Sequence, residues 1–264
     1  MGVLRDLDET QAPLMDHLIE LRGRLLRSVF VLAVSFGVCF YFANDILAFL
    51  AQPLQDAFGE GEARLIYTKL PEVFFVELKV ALFAAFCVSF PIIANQMWAF
   101  VAPGLYAREK RAFLPFLVAT PILFIAGASL AYFVVMPTAF RWFLGFRGDA
   151  GGIPIEALPS AGDYLSLVMQ FILAFGICFL LPVLLLLLER AGLITRASLV
   201  KMRRYVIVGV VAVAAIVTPP DPGSQLILAG PLYILFEGSL LVMLILNRRR
   251  QDQTEESGEA SDTV

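Results

Sequence analysis

The chain has 264 residues, 59% hydrophobic and 16% charged, with a mean hydropathy of +0.80. Soluble domains use roughly 45–50% apolar residues, so this composition excludes an ordinary soluble enzyme or binding module and points to an all-α integral membrane protein. The net charge of -3 gives no partner signal, because Gln251 to Val264 alone carries five carboxylates and no cation; that tail, 247–264, is expected to lack structure.

In chain order, the N-terminus opens with acids rather than a basic region and an apolar core, so no cleavable secretory signal is expected. Asp6 stands where a myristoylation motif requires Ser or Thr. Leu14, Leu18, Leu21 and Leu25 then recur at helical spacing, with Asp16, Glu20 and Arg24 on another face and Pro13 suited to a helix start. Residues 1–24 therefore read as an amphipathic helix at the membrane interface. Glu20 and Arg24 at i, i+4 also fit a plain helix-surface pair worth roughly 0.2–0.5 kcal/mol.

A bilayer core of about 30 Å takes roughly 20 apolar residues per helix. Six runs within 25–246 qualify as spans: Leu25 to Phe42, Val76 to Trp98, Phe113 to Met136, Leu165 to Leu188, Tyr205 to Val217 and Gln225 to Leu246. The fifth reaches only about 20 Å at 1.5 Å per residue, and a re-entrant segment stays open as an alternative. "QMWAFVAPGLYAREKRAF" (Gln96 to Phe113) reads as a connecting loop around a Pro-Gly turn, and "GDAGGIP" and "TPPDPGS" as further turns.

Charge sets the orientation, because cytoplasmic loops carry the Lys/Arg excess. With the N-terminus inside, fourteen cations fall inside and only Arg64, Lys69, Arg141 and Arg147 outside, so both termini are expected in the cytoplasm. Arg27 and Lys79 lie within spans. Cys39, Cys87 and Cys178 are isolated in apolar runs and His17 is the single histidine, which argues against a disulfide, a metal centre or a catalytic triad. "GEGEAR" at Gly59 to Arg64 lacks the third glycine of a dinucleotide fingerprint, and no cofactor or nucleic acid is indicated.

Four stretches carry a resemblance: "HLIELRGRL" (His17 to Leu25), "QMWAFVAPGLYAREKR" (Gln96 to Arg111), "AYFVVMPTAF" (Ala131 to Phe140) and "RRYVIVGVVAVAAIVTPPDPGSQLILAGPLYILFE" (Arg203 to Glu237). Taken in order they resemble the TatC family, the multi-span receptor of the twin-arginine protein translocase. The resemblance implies a receptor in the bacterial cytoplasmic (inner) membrane that binds twin-arginine signal peptides on its cytoplasmic face. It further implies an oligomeric complex with the single-span proteins TatA and TatB, which exports folded proteins on the proton-motive force. The family's signal-recognition carboxylates match Glu20 and Glu109, and Leu21, Arg22, Phe100, Pro103 and Tyr106 match the surrounding surface. Pro53, Pro71, Glu72 and Asp221 match positions on the outer side, where prolines shape turns. In "FGICFLLPV" (Phe175 to Val183), Leu180 stands where many relatives carry Glu or Gln.

A guanidinium presents a planar fork to a carboxylate and stacks on aromatic faces, so two acids beside aromatics would make a double-arginine reader. Glu237, inside the sixth run, and Gln225, near its outer end, fit either a hydrogen-bonded bundle contact or a contact site for a single-span partner. Gly127 and Ala131 permit close helix approach, within the chain or between copies. A proton-coupled small-molecule transporter is the alternative function, for which Glu237 is the principal support.

Overall fold

Backbone groups in hydrocarbon have no water to bond, so long apolar runs close their hydrogen bonds internally as helices. The computed structural model describes residues 2–58, 64–67, 69–105, 110–146, 148–150, 153–155, 158–190, 192–217 and 222–262. Of these, the side chains of 2–14, 16, 101–105, 110–115, 149–150, 153–155, 217, 224 and 246–262 are not described. The helices are α1 (Gly2–Tyr41), α2 (Ala43–Phe58), α3 (Glu72–Leu105), α4 (Lys110–Leu130), α5 (Met136–Leu144), α6 (Ala161–Cys178), α7 (Leu181–Arg190), α8 (Arg196–Lys201), α9 (Arg203–Val217) and α10 (Pro222–Asp262).

Five helical stretches among the described residues are long and apolar enough to cross a membrane: His17–Tyr41, Glu72–Phe100, Phe116–Leu144, Ala161–Arg190 and Gln225–Ile245. The fifth expected run forms as α9, whose 15 residues extend only about 22 Å at 1.5 Å per residue. Four further expectations are corrected. A two-stranded antiparallel hairpin, β1 (Gly148–Ala150) with β2 (Ile153–Ile155), interrupts the all-helical reading and pairs Gly148 with Ile155. The helix expected to start at Pro13 runs unbroken from Gly2 into the first span. The supposed loop after Gln96 is helical as far as Leu105; Pro103 forgoes one N–H bond, but it and Gly104 stand so close to the helix end that only the last turn bears the loss. The backbone of α10 is helical to Asp262, through a stretch whose Arg, Gln, Glu and Ala are good helix formers.

By packing, the chain divides into two compact units, one of Met1–Gln52, Ile66–Pro121 and Ser160–Leu165, the other of Pro53–Leu65, Ile122–Pro159 and Ser166–Val264. In the first, α1 lies along α3. Cys39, Ala43, Ala81 and Ala85 form the seam, with Leu32, Phe36, Ile46 and Ala84 packed against it. Small side chains there let the backbones approach closely, which replaces the hydrophobic drive that lipid does not supply. At the N-terminal end of α3, Glu72 Oε1 accepts the backbone N–H of Gly162 at 3.1 Å. The Tyr164 hydroxyl donates to the Leu50 carbonyl at 2.8 Å, and Ser160 with Asp163 closes a reciprocal cap on the start of α6.

In the second unit α10 packs against α5, α7, α8 and α9. Leu199, Phe236, Leu240 and Met243 are its buried centre, with Leu185, Val206 and Tyr233 around them. The small pair of the sequence analysis works within the chain: a Cβ on Gly127 would come 2.5 Å from the Phe175 carbonyl oxygen. Between α4 and α5 the helix widens into a π turn, Ala131–Val135, where the Met136 N–H donates to the Ala131 carbonyl. Pro137 follows immediately; it has no N–H for the carbonyl four residues back, and a widened turn accommodates that loss. A short turn at Phe179 and Leu180 separates α6 from α7, just before Pro182. Gly192, at φ 74°, ends α7 in the left-handed conformation that glycine adopts without penalty.

Candidate functional site

Two acid-centred clusters stand out, one in each unit. In the first, α1 presents Glu20 and α3 presents Gln96 and Phe100. Glu20 Oε1 accepts from Arg24 Nε at 2.9 Å and from Arg24 Nη2 at 2.6 Å. Arg24 Nη1 reaches Gln96 Oε1 at 3.5 Å, a long contact. The other oxygen, Glu20 Oε2, has His17 Nδ1 at 4.0 Å, and the His17 ring stacks on Phe100 with centroids 4.2 Å apart and planes 14° apart. The Glu20 side chain is 37% exposed and that of Arg24 23%. An acid and an aromatic face from two separate helices thus meet at one half-open spot, through His17. Two residues earlier on α3, Trp98 is buried and its indole N–H donates to Thr120 Oγ1 at 2.9 Å, tying α3 to α4. That aromatic is an anchor of the fold.

Of the predicted recognition residues, Leu21 and Arg22 are exposed on α1 next to Glu20, and Phe100 is half-buried against His17. Pro103 lies in the α3 backbone, its side chain outside the described set. Tyr106 and Glu109 lie outside the described residues, as does Asp221.

In the second unit, Glu237 of α10 is held at both oxygens. Arg203 Nη2 donates to Oε2 at 2.7 Å and the Tyr233 hydroxyl to Oε1 at 2.9 Å. Arg203 is the first residue of α9. Nearer the α9–α10 connection, Gln225 Nε2 donates to the Val211 carbonyl at 3.0 Å, so both predicted polar residues of the last span are spent between α9 and α10. The half-buried acid on which the transporter alternative leaned already has a cationic partner. Pro53 is buried inside α2 rather than at a turn, a correction that follows from the helix continuing through it to Phe58. Pro71 sits just before α3, where its carbonyl accepts the N–H of Phe75, and Glu72 is the first helical residue, bonded to Gly162.

Sequence reasoning missed Gln96 as a companion of Arg24, and Arg203 as the counterion of Glu237. The second had a signal: a cation opening one apolar helix and a half-buried acid inside the next apolar run have to meet somewhere. Among the described residues no group of three or more His, Cys, Asp and Glu side chains could hold a metal ion, and the cysteines are free, Cys39 buried and the others half-buried.

A family profile described as TatC, Sec-independent protein translocase protein, matches residues 16–231. A protein of Magnetococcus marinus named Sec-independent protein translocase protein TatC is 48% identical over 256 residues, covering 96% of this chain and 93% of that protein. The Escherichia coli K12 protein of the same name is 40% identical over 231 residues, covering 88% of this chain and 87% of its own length. A crystal structure of the twin arginine translocase receptor TatC in DDM is similar at a TM-score of 0.76 and 37% identity, covering 86% of this chain and 98% of that one.

Proposed function

We propose that this chain, which belongs to the TatC family of Sec-independent protein translocase proteins, is the signal-peptide receptor of a twin-arginine translocase in a bacterial inner membrane. It binds twin-arginine signals at its cytoplasmic face, works in a complex with the single-span proteins TatA and TatB, and passes folded proteins on the proton-motive force. It spans the membrane six times, counting the short α9, with both termini inside. The positive-inside distribution of its Lys and Arg supports that orientation, and the family's role in transport supports a non-catalytic function.

The observation that carries the reading is the half-open carboxylate of Glu20 beside the His17–Phe100 stack. A charged hydrogen bond contributes roughly 1.5–3 kcal/mol, so two signal arginines, one on Glu20 and one on Glu109, supply about 3–6 kcal/mol. Micromolar affinity requires about 8 kcal/mol. Contact between the signal's apolar stretch and exposed residues such as Leu21 supplies the remainder.

The test is photocross-linking and titration of a twin-arginine peptide against the full chain in membranes. Glu20→Ala and Glu109→Ala each weaken binding, and a Lys-Lys peptide binds worse because an ammonium cannot make the forked contact. Undiminished cross-linking in the double variant would refute the assignment. Liposome uptake of small solutes, absent on this reading, separates it from a transporter.

A further inference from the structure

The site just proposed is not vacant: its acid already carries a guanidinium. Arg24 gives Nε and Nη2 to a single oxygen of Glu20, at 2.9 and 2.6 Å, and turns Nη1 toward Gln96 Oε1 at 3.5 Å. The second oxygen faces His17 Nδ1 at 4.0 Å, beyond hydrogen-bond distance, and the side chain is 37% open to its surroundings. A forked arginine–carboxylate contact needs both oxygens, each accepting one N–H. An incoming arginine therefore has room for one bond at Oε2, and completes the fork only when Arg24 releases Oε1.

We propose that Arg24 is a resident competitor for the signal peptide: an internal guanidinium that occupies Glu20 in the empty receptor, is displaced on binding, and is received by Gln96 when it swings away. The inference deepens the receptor reading and rests on it. It assigns Arg24 and Gln96 roles that the family resemblance did not. Three properties suit Arg24 to this. It is one helical turn from Glu20, so its release needs only side-chain rotation on an intact α1. It pairs across i, i+4, a contact weak enough to exchange. It also carries the same functional group as the ligand, so unbound Glu20 is never left as a lone anion beside apolar helices.

The consequence is quantitative. Apparent affinity falls by the fraction of receptor in which Glu20 is free. Removing the competitor raises affinity for any ligand that has to displace Arg24 from Oε1. In Arg24→Gln, binding of a synthetic twin-arginine peptide to the full chain in lipid nanodiscs tightens by about two- to fivefold, and a Lys-Lys peptide, whose ammonium needs only Oε2, gains less. Arg24→Lys, which retains a cation but loses the Nε donor, gives a smaller gain. Thermal unfolding of each variant in the same nanodiscs checks that the fold is kept.

A merely structural role for Arg24 gives the opposite sign: weaker binding of both peptides in a folded variant, which overturns the proposal. Unchanged affinity in Arg24→Gln overturns it as well. The parallel Glu20→Ala titration separates the two layers. If Glu20→Ala weakens binding while Arg24→Gln fails to strengthen it, the competitor is wrong and the receptor reading stands. If Glu20→Ala has no effect, both fail together.

Discussion

Glu20 and Glu237 have the same ionic partner type and opposite designs. Glu20 pairs with an arginine one turn away on its own helix, through one oxygen, with the other uncommitted. Glu237 pairs across to another helix, through Arg203, and its remaining oxygen is taken by Tyr233. The first arrangement can exchange partners without moving any backbone, whereas the second fastens α9 to α10. A carboxylate in an apolar helix is thus no single kind of clue: what its second oxygen faces separates a recognition group from a fastener.

The largest test of that contrast is a crossover of effects on peptide binding. Glu20→Ala is expected to weaken a twin-arginine peptide by about tenfold or more, the loss of one charged hydrogen bond or two, while Glu237→Ala leaves the affinity within about twofold in a titration. The stability readout runs the other way. Glu237→Ala leaves Arg203 unpaired and is expected to cost about 1–3 kcal/mol by denaturation in detergent; Glu20→Ala changes stability by no more than about 0.5 kcal/mol. Tyr233→Phe removes one neutral donor from Glu237 and is expected to cost about 0.5–1.5 kcal/mol. If it costs nothing, the fastener reduces to its ion pair. The smallest effect is that of salt. Raising ionic strength is expected to weaken peptide binding at the half-open Glu20 and, because Arg203 is itself 46% exposed, to shrink the Glu237→Ala stability difference as well.

Much of this was legible in the chain. The long apolar runs and the helical spacing of Leu14 to Leu25 become helices. What failed to show had physical reasons. The Gln96 to Leu105 stretch reads as a loop because Pro103 and Gly104 are turn residues, yet they lie at the end of α3, after the residues from Gln96 to Ala102 have already continued the helix. "SAGD" at Ser160 to Asp163 hides a helix cap beside a glycine-rich segment, Ser160 Oγ accepting the Asp163 N–H and donating to Asp163 Oδ2. Pro53 reads as a turn residue and lies inside α2. Glu20 with Arg24 was legible because i, i+4 neighbours are local, and Glu237 with Arg203 was not, because no local rule joins positions on two helices. The π turn before Pro137 depends on how one bond register yields to a missing donor, which residue preferences alone do not encode.

Because α9 begins at Arg203 and ends at Val217, its length works as a ruler that sets how far along α10 the guanidinium arrives. Each inserted residue would carry Arg203 about 1.5 Å onward and swing it roughly 100° around the axis, away from Glu237. α9 should therefore absorb exchanges among its valines and alanines but resist a change in their number, so natural or engineered length variants of this helix would need to relocate the acid on α10 to match.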